Sequence, residues 1–178
     1  MSEEVAARPR LRLRPTMLSD LDFVISVEND TQNLPFITPW ERTQHEGAVR
    51  FPDFRHFIVE AGEGTQAVGF VILLGCRNRH RSVELKRIVL QTKGRGLGRA
   101  CVRLLKRMAF RDLHAHRFWL DVKAGNTRAQ ALYASEGFAV EGCLREAVRI
   151  EGGYDSLIVM SMLEAEYAAR TAAGEEAC

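Results

Sequence analysis

The segment Lys93-Gly94-Arg95-Gly96-Leu97-Gly98 decides how this chain is read. It follows the apolar run Ile88-Val89-Leu90 and opens into an amphipathic stretch from Arg99 to Asp112. A strand that ends in a glycine-rich turn and runs straight into a helix makes an anion cradle. The first helical turn leaves backbone N–H groups without partners, and the helix dipole adds partial positive charge there. Glycines let the backbone curl tightly and remove the Cβ atoms that would hold a phosphate away. A phosphorylated ligand is expected at this turn.

Outward from the turn, the pattern alternates between strand and helix. Leu11 to Arg14 alternates as a first strand, stopped by Pro15, and Ser19 is the expected N-cap of a helix reaching Asn29. Pro35 and Pro39 make residues 34–40 an irregular loop, followed by a helix from Thr43 to Arg50. Residues 56–60 and 67–74 read as a hairpin through Gly62-Glu63-Gly64, and residues 82–90 as the next strand. After the glycines, Cys101, Leu104, Leu105 and Met108 fall at helical spacing. A strand at 117–122 leads to a short helix capped by Asn126 and closed by Gly137. Strands at 138–144 and 155–163 complete the pattern. Hairpin-linked strands followed by a helical crossover predict an α+β protein with a mixed, mostly antiparallel central sheet flanked by helices. Residues 10–167 are expected to form a single domain, with 1–9 and 168–178 as loose tails.

Composition narrows the classes. The 178 residues are 46% hydrophobic, enough for a full core, and the formal net charge of +2 implies no polyelectrolyte partner. Five basic residues between Arg77 and Arg87 read as a solvated hairpin; a nucleic-acid surface built on them would bind with strong salt dependence. Cys76, Cys101, Cys143 and Cys178 show no Cys-x-x-Cys spacing, and the histidines at 45, 56, 80, 114 and 116 show no metal spacing. No run approaches a membrane span and no signal peptide is evident, so a soluble, cytoplasmic protein without a metal is expected.

Three phosphate-cradling motifs compete for the turn. A P-loop needs Gly-Lys followed by Ser or Thr, and Gly98-Arg99-Ala100 supplies neither. A dinucleotide fingerprint needs Gly-x-Gly-x-x-Gly, whereas Gly94, Gly96 and Gly98 are spaced two apart. The third is Arg/Gln-x-x-Gly-x-Gly/Ala, the acetyl-CoA-binding motif of the GNAT superfamily of N-acetyltransferases, which the segment resembles. Counted from Lys93, the motif glycines are Gly96 and Gly98, with Lys93 standing where the family has Arg or Gln and Leu97 facing the core. Counted from Gln91, they are Gly94 and Gly96; the register from Lys93 is preferred, because it puts Leu97 where the family has an apolar residue facing the core. Residues 126–138, Asn-Thr-Arg-Ala-Gln-Ala-Leu-Tyr-Ala-Ser-Glu-Gly-Phe, resemble the family's second cofactor motif, Asn-x-x-Ala-x-x-Leu-Tyr-x-x-x-Gly-Phe. The run Val140-Glu141-Gly142-x-Leu144-Arg145-Glu146 with Gly153-Tyr154 is similar to the branch of ribosomal-protein alanine and spermidine N-acetyltransferases.

The resemblance implies acetyl-CoA as cosubstrate. Gly94, Gly96 and Gly98, with the N–H groups of Arg95, Leu97 and Arg99, would hold the pyrophosphate, and the backbone of Ile88, Val89 and Leu90 would pair with the pantetheine arm. Asn126, Arg128 and Ala129 would contact the cofactor from the second motif, alongside Lys93. Tyr133 corresponds to the family's general acid, a phenol able to protonate a departing thiolate. An ammonium acceptor must lose a proton before attack. Glu84 is the candidate base, although an ordinary strand carboxylate paired with Arg81 or Lys86 reads the same. Glu28, Phe36, Trp40 and Glu41 are the candidate acceptor-binding residues, with Asp30 a further acid nearby.

The resulting expectation is direct acetyl transfer to a primary amine of a protein N-terminus, a polyamine or another small molecule, in a chain able to form a homodimer. The alternative is a non-catalytic acyl-CoA sensor that kept the cradle and lost turnover.

Overall fold

The computed structural model describes residues 10–62 and 66–176; Glu63 and Gly64 of the expected hairpin turn and the expected tail at 1–9 lie outside them. Strand β1 (Leu11–Pro15) is followed by helices α1 (Leu21–Glu28) and α2 (Arg42–Arg50). Strands β2 (Arg55–Ala61), β3 (Gln66–Leu74) and β4 (Ser82–Leu90) come next, then α3 (Leu97–Arg107), β5 (Arg117–Lys123) and α4 (Thr127–Ser135). Strands β6 (Ala139–Ile150) and β7 (Gly153–Leu163) and helix α5 (Glu164–Ala172) are the last described elements. The seven strands form one sheet in the order β1-β2-β3-β4-β5-β7-β6. Among the described residues only β4 and β5 run parallel, because α3 carries the chain back to the same end of the sheet.

Two apolar layers sandwich the sheet. One packs Leu21, Val24 and Val27 of α1 on Ile58, Phe70, Ile72 and Val89. The other packs Leu97, Cys101, Val102 and Leu105 of α3, with Tyr133 and Tyr167, on Val71, Leu85, Phe118, Leu120 and Met160. Each fully buried Leu, Val or Phe in these layers contributes roughly 1.5–3 kcal/mol relative to exposure. The strand alternation places each functional side chain. Phe118, Leu120 and Val122 face α3, so Trp119, Asp121 and Lys123 face the α1–α2 side. In β4, Ile72 pairs with Arg87 and Leu73 with Leu85, which leaves Lys86 as an extra, bulged residue.

Several expectations shift. Ser19 does not cap α1: a short 3-10 turn over Leu18–Asp20 precedes the helix, and the Asp20 carboxylate accepts from the Met17 N–H at 2.7 Å. Helix α1 stops at Glu28, one residue short of the expected end, and α3 starts at Leu97. Its buried face includes Val102, whereas Leu104 and Met108 are only partly covered; the helix widens into a π turn over Met108–Asp112. The expected C-terminal tail is largely structured. The stretch read as loose from residue 168 continues α5, whose Glu166 accepts from the Leu163 N–H at 2.7 Å and whose Tyr167 stacks on Phe110 at 4.7 Å. Beyond α5, Glu176 is buried against Lys106 (2.6 Å) and Arg170 (2.8 Å). No helix among the described residues is long and apolar enough to cross a membrane.

Candidate active site

The parallel strands part company soon after they meet. β4 and β5 pair at Ser82–Arg117, Val83–Phe118 and Glu84–Trp119 and no further. Beyond that point Leu85–Leu90 and Asp121–Lys123 line opposite walls of a cavity of about 1360 Å³. Residues of the α1–α2 connection and the N-terminal turns of α3 and α4 complete its lining. The opening passes through the sheet, so groups from both faces can meet in it.

On the α3–α4 side lies the cradle. Gly94 and Gly96 hold φ of +83° and +72°, left-handed values that favour glycine, and open space lies where their Cβ atoms would be. Gly98 instead sits within α3, and a Cβ there would lie 3.4 Å from Leu132 of α4. Gly94 and Gly96 are thus the left-handed pair, while Gly98 lines the cavity with them from the first turn of α3 and faces Leu132. Leu97 is buried in the core, while Lys93, Arg99 and Arg128 line the cavity and Arg95 does not. Lys93 Nζ donates to Asn33 Oδ1 and to the Leu90 carbonyl, and burial and nearby Arg128 lower the pKa of its ammonium. Arg99 donates to Glu136 at 2.6 Å. At α4, Asn126 Oδ1 accepts from the Ala129 N–H at 3.2 Å, the expected cap, and Gly137 closes the helix at φ +93°. Backbone N–H groups, unpaired strand edge, open glycines and three cations make a donor set suited to a diphosphate and its extended arm.

Tyr133 lines the cavity from α4 and is 7% exposed; burial raises its phenol above the ordinary value, so the O–H is retained at physiological pH. Glu84 is on the opposite face at the point of divergence and does not itself line the cavity. Its carboxylate accepts from Lys86 Nζ at 3.1 Å, and burial pushes its pKa up, opposed by Lys86 and aided by Asp121. Asp121 was absent from the sequence-derived candidates. It is the only carboxylate lining the cavity among the described residues, and its charge reaches Glu84, Arg87 and Tyr133. Its signal was the alternation Phe118-x-Leu120-x-Val122, which turns 121 to the other face.

Phe36 and Trp40 line the cavity from the α1–α2 connection. Glu28 and Glu41 do not: Glu28 is fully buried, and Glu41 is an exposed residue at the start of α2 whose N–H donates to Gln44 at 2.8 Å. Lys123 Nζ reaches across to the Pro35 carbonyl at 3.2 Å. Of the basic stretch 77–87, Arg81, Lys86 and Arg87 are paired with Glu164, Glu84 and Glu28. Among the described residues no group of His, Cys, Asp and Glu is placed to hold a metal ion.

A family model described as an acetyltransferase (GNAT) domain matches residues 10–139. The spermidine N(1)-acetyltransferase of Vibrio cholerae is 27% identical over 173 residues, which is 91% of this chain and 98% of that protein. The crystal structure of the V. cholerae spermidine N-acetyltransferase in complex with CoA and spermine superposes with a TM-score of 0.80 at 27% identity, covering 89% of this chain and 98% of that one. A dodecameric structure of the same V. cholerae enzyme gives 0.77 at 26% identity, covering 90% and 98%.

Proposed function

The chain belongs to the GNAT acetyltransferase family, and from that premise we propose that it acetylates a primary amine of a polyamine. It is an acetyl-CoA-dependent N-acetyltransferase. The observation that carries the reading is the opening of the sheet past Glu84 and Trp119 into a cavity lined by the glycine turn and a buried phenol on one side and by Asp121 on the other.

Acetyl-CoA supplies a thioester-activated acyl group and a thiolate leaving group. The amides around Gly94–Gly98, with Lys93, Arg99 and Arg128, hold the diphosphate end, and the free edge of Ile88–Leu90 aligns the arm. Asn126 and Ala129 fix the start of α4, which sets Tyr133. The Tyr133 phenol, kept protonated by burial, donates to the departing sulfur. Asp121 attracts the ammonium of the acceptor from the α1–α2 side, and Glu84 takes its proton, either directly or through water. Phe36 and Trp40 cover the methylene chain.

Two further features belong to this reading. Self-association would use the outer strand β6, exposed along nearly its whole length with Val140 and Leu144 uncovered. A cytoplasmic setting accords with Cys76, Cys101 and Cys143 as free thiols.

The test is thiol release from acetyl-CoA with spermidine, spermine and peptides bearing free N-termini, with products identified by mass. Turnover of polyamines is expected; turnover confined to peptides overturns the acceptor assignment.

A further inference from the structure

Glu28 has the charge to bind a cationic acceptor, but its surroundings give it another task. The residue has no solvent exposure, and both carboxylate oxygens are engaged. Oε1 accepts from Arg87 Nη1; Oε2 accepts from the Trp40 backbone N–H at 3.0 Å and meets His45 Nε2 at 2.9 Å. Arg87 also donates to the Thr38 carbonyl at 2.9 Å, and its guanidinium carbon lies 4.9 Å from the centre of the Trp40 ring. Arg87 Nε has no hydrogen-bond partner and is hidden from solvent. Thr38, Trp40 and Arg87 all line the cavity.

A chain of polar groups backs this carboxylate. His45 Nδ1 is 3.2 Å from His56 Nε2, and His56 Nδ1 is 2.9 Å from Thr16 Oγ1. One set of tautomers satisfies every contact: the Thr16 hydroxyl donates to His56, His56 Nε2 donates to His45, and His45 Nε2 donates to Glu28. Burial, with His45 and Arg87 nearby, pushes His56 down to about 3, so this ring stays neutral. With Arg87 on Oε1, the Trp40 amide and a fixed imidazole on Oε2, and no solvent exposure, this carboxylate is out of reach of a substrate ammonium.

We propose that Glu28 is a positioning residue: together with Arg87 it suspends the Thr38–Trp40 wall of the acceptor pocket from β4, and the His45–His56–Thr16 chain holds the carboxylate in register. Glu28 thereby joins α1, α2, β4 and the α1–α2 connection, and His45 extends the link to His56 of β2. The inference rests on the acceptor reading only for its kinetic readout.

The test compares E28Q and E28Q/R87M with the unaltered protein. In E28Q an amide NH₂ is forced against one of the three donors. With spermidine as acceptor, E28Q is expected to raise KM for the amine at least tenfold while kcat and the Kd for CoA stay within threefold. The double variant removes both buried charges, so it keeps the test alive if E28Q does not fold, and it is expected to keep the raised KM because the wall still lacks its anchor. A KM within twofold of the parent in E28Q, or a double variant restored to the parental KM, overturns the proposal; the latter would mean that Glu28 only cancels the Arg87 charge. A substrate-free readout uses W119F as background, leaving Trp40 the sole tryptophan. There, E28Q is expected to red-shift emission and raise acrylamide quenching severalfold, and unchanged emission overturns the proposal. If the unaltered protein does not acetylate spermidine, the acceptor reading fails and the Trp40 readout alone decides this one.

Discussion

Glu84 and Trp119 form the last pair between β4 and β5, and the sheet opens beyond them. That single termination of pairing places Tyr133 on one side of the gap and Asp121 on the other. A parallel ladder continued past this pair would close the cavity. Glu84 stands at the apex, buried enough for its carboxyl to titrate above the ordinary range.

This position sets a pH dependence. A raised pKa means that the protonated form persists to higher pH, so a Glu84 base is inactive below its pKa and active above it. The acid limb of kcat/KM should therefore lie above the usual carboxylate range. E84Q should remove that limb and lower kcat/KM by about 10²-fold, within the span of general-base contributions. A pH–rate profile with the limb intact in E84Q assigns the base elsewhere.

Tyr133 should show its effect in kcat. Replacing it with phenylalanine keeps the ring against Phe138, 5.8 Å away between centroids, and removes only the proton donor. Y133F should lower kcat by about 10²-fold or more with CoA affinity unchanged by calorimetry. Unchanged kcat would remove the phenol from the chemistry.

Asp121 should act mainly on acceptor binding. D121N removes the only carboxylate lining the cavity among the described residues. KM for a polyamine should rise about tenfold, equivalent to about 1.4 kcal/mol, while the Kd for CoA holds. A fall in CoA affinity of similar size would place Asp121 in the cofactor site.

The glycines separate by conformation. G94A and G96A force a Cβ into left-handed backbone at a cost of roughly 1–2 kcal/mol each, although nothing crowds the new atom. Both should weaken CoA binding. G98A, inside α3 with Leu132 at 3.4 Å from the added carbon, should be nearly neutral for CoA and change stability only slightly. Equal effects at all three positions would contradict this division.

Glu136 ties α3 and α4 together. Buried at the end of α4, it accepts from Arg99, Arg103 and Lys106 of α3. Burial works to raise its pKa, and the hydrogen bonds from Arg103, Lys106 and Arg99 outweigh it, so the folded value is lowered. Its contribution is thus present above the unfolded pKa and lost as pH falls through the folded one. E136A should destabilise the protein by about 3–5 kcal/mol at neutral pH in urea unfolding, with a smaller difference in acid.

Much of this was legible in the residues because it is local. A glycine at left-handed φ, an Asn accepting from the amide three residues on, and a Gly closing a helix depend on a few neighbours, so Gly94, Asn126 and Gly137 could be read directly. The glycine turn and both ends of α4 are built from such pieces. Helix α5 was harder: it was missed because Ala- and Glu-rich helical sequence resembles a loose tail until Tyr167 meets Phe110.

By itself, then, the sequence determined the strand–turn–helix cradle, the second motif with Tyr133 and the mixed order of elements, all of them set by backbone preferences over a few residues. Tertiary structure alone decided that Glu28 faces Arg87, 59 positions away, rather than a substrate, that Asp121 turns into the cavity, and that the Lys86 bulge and the parting of β4 from β5 open the sheet. A carboxylate's task depends on what lies within about 3 Å of it, and for these residues the neighbours come from distant parts of the chain.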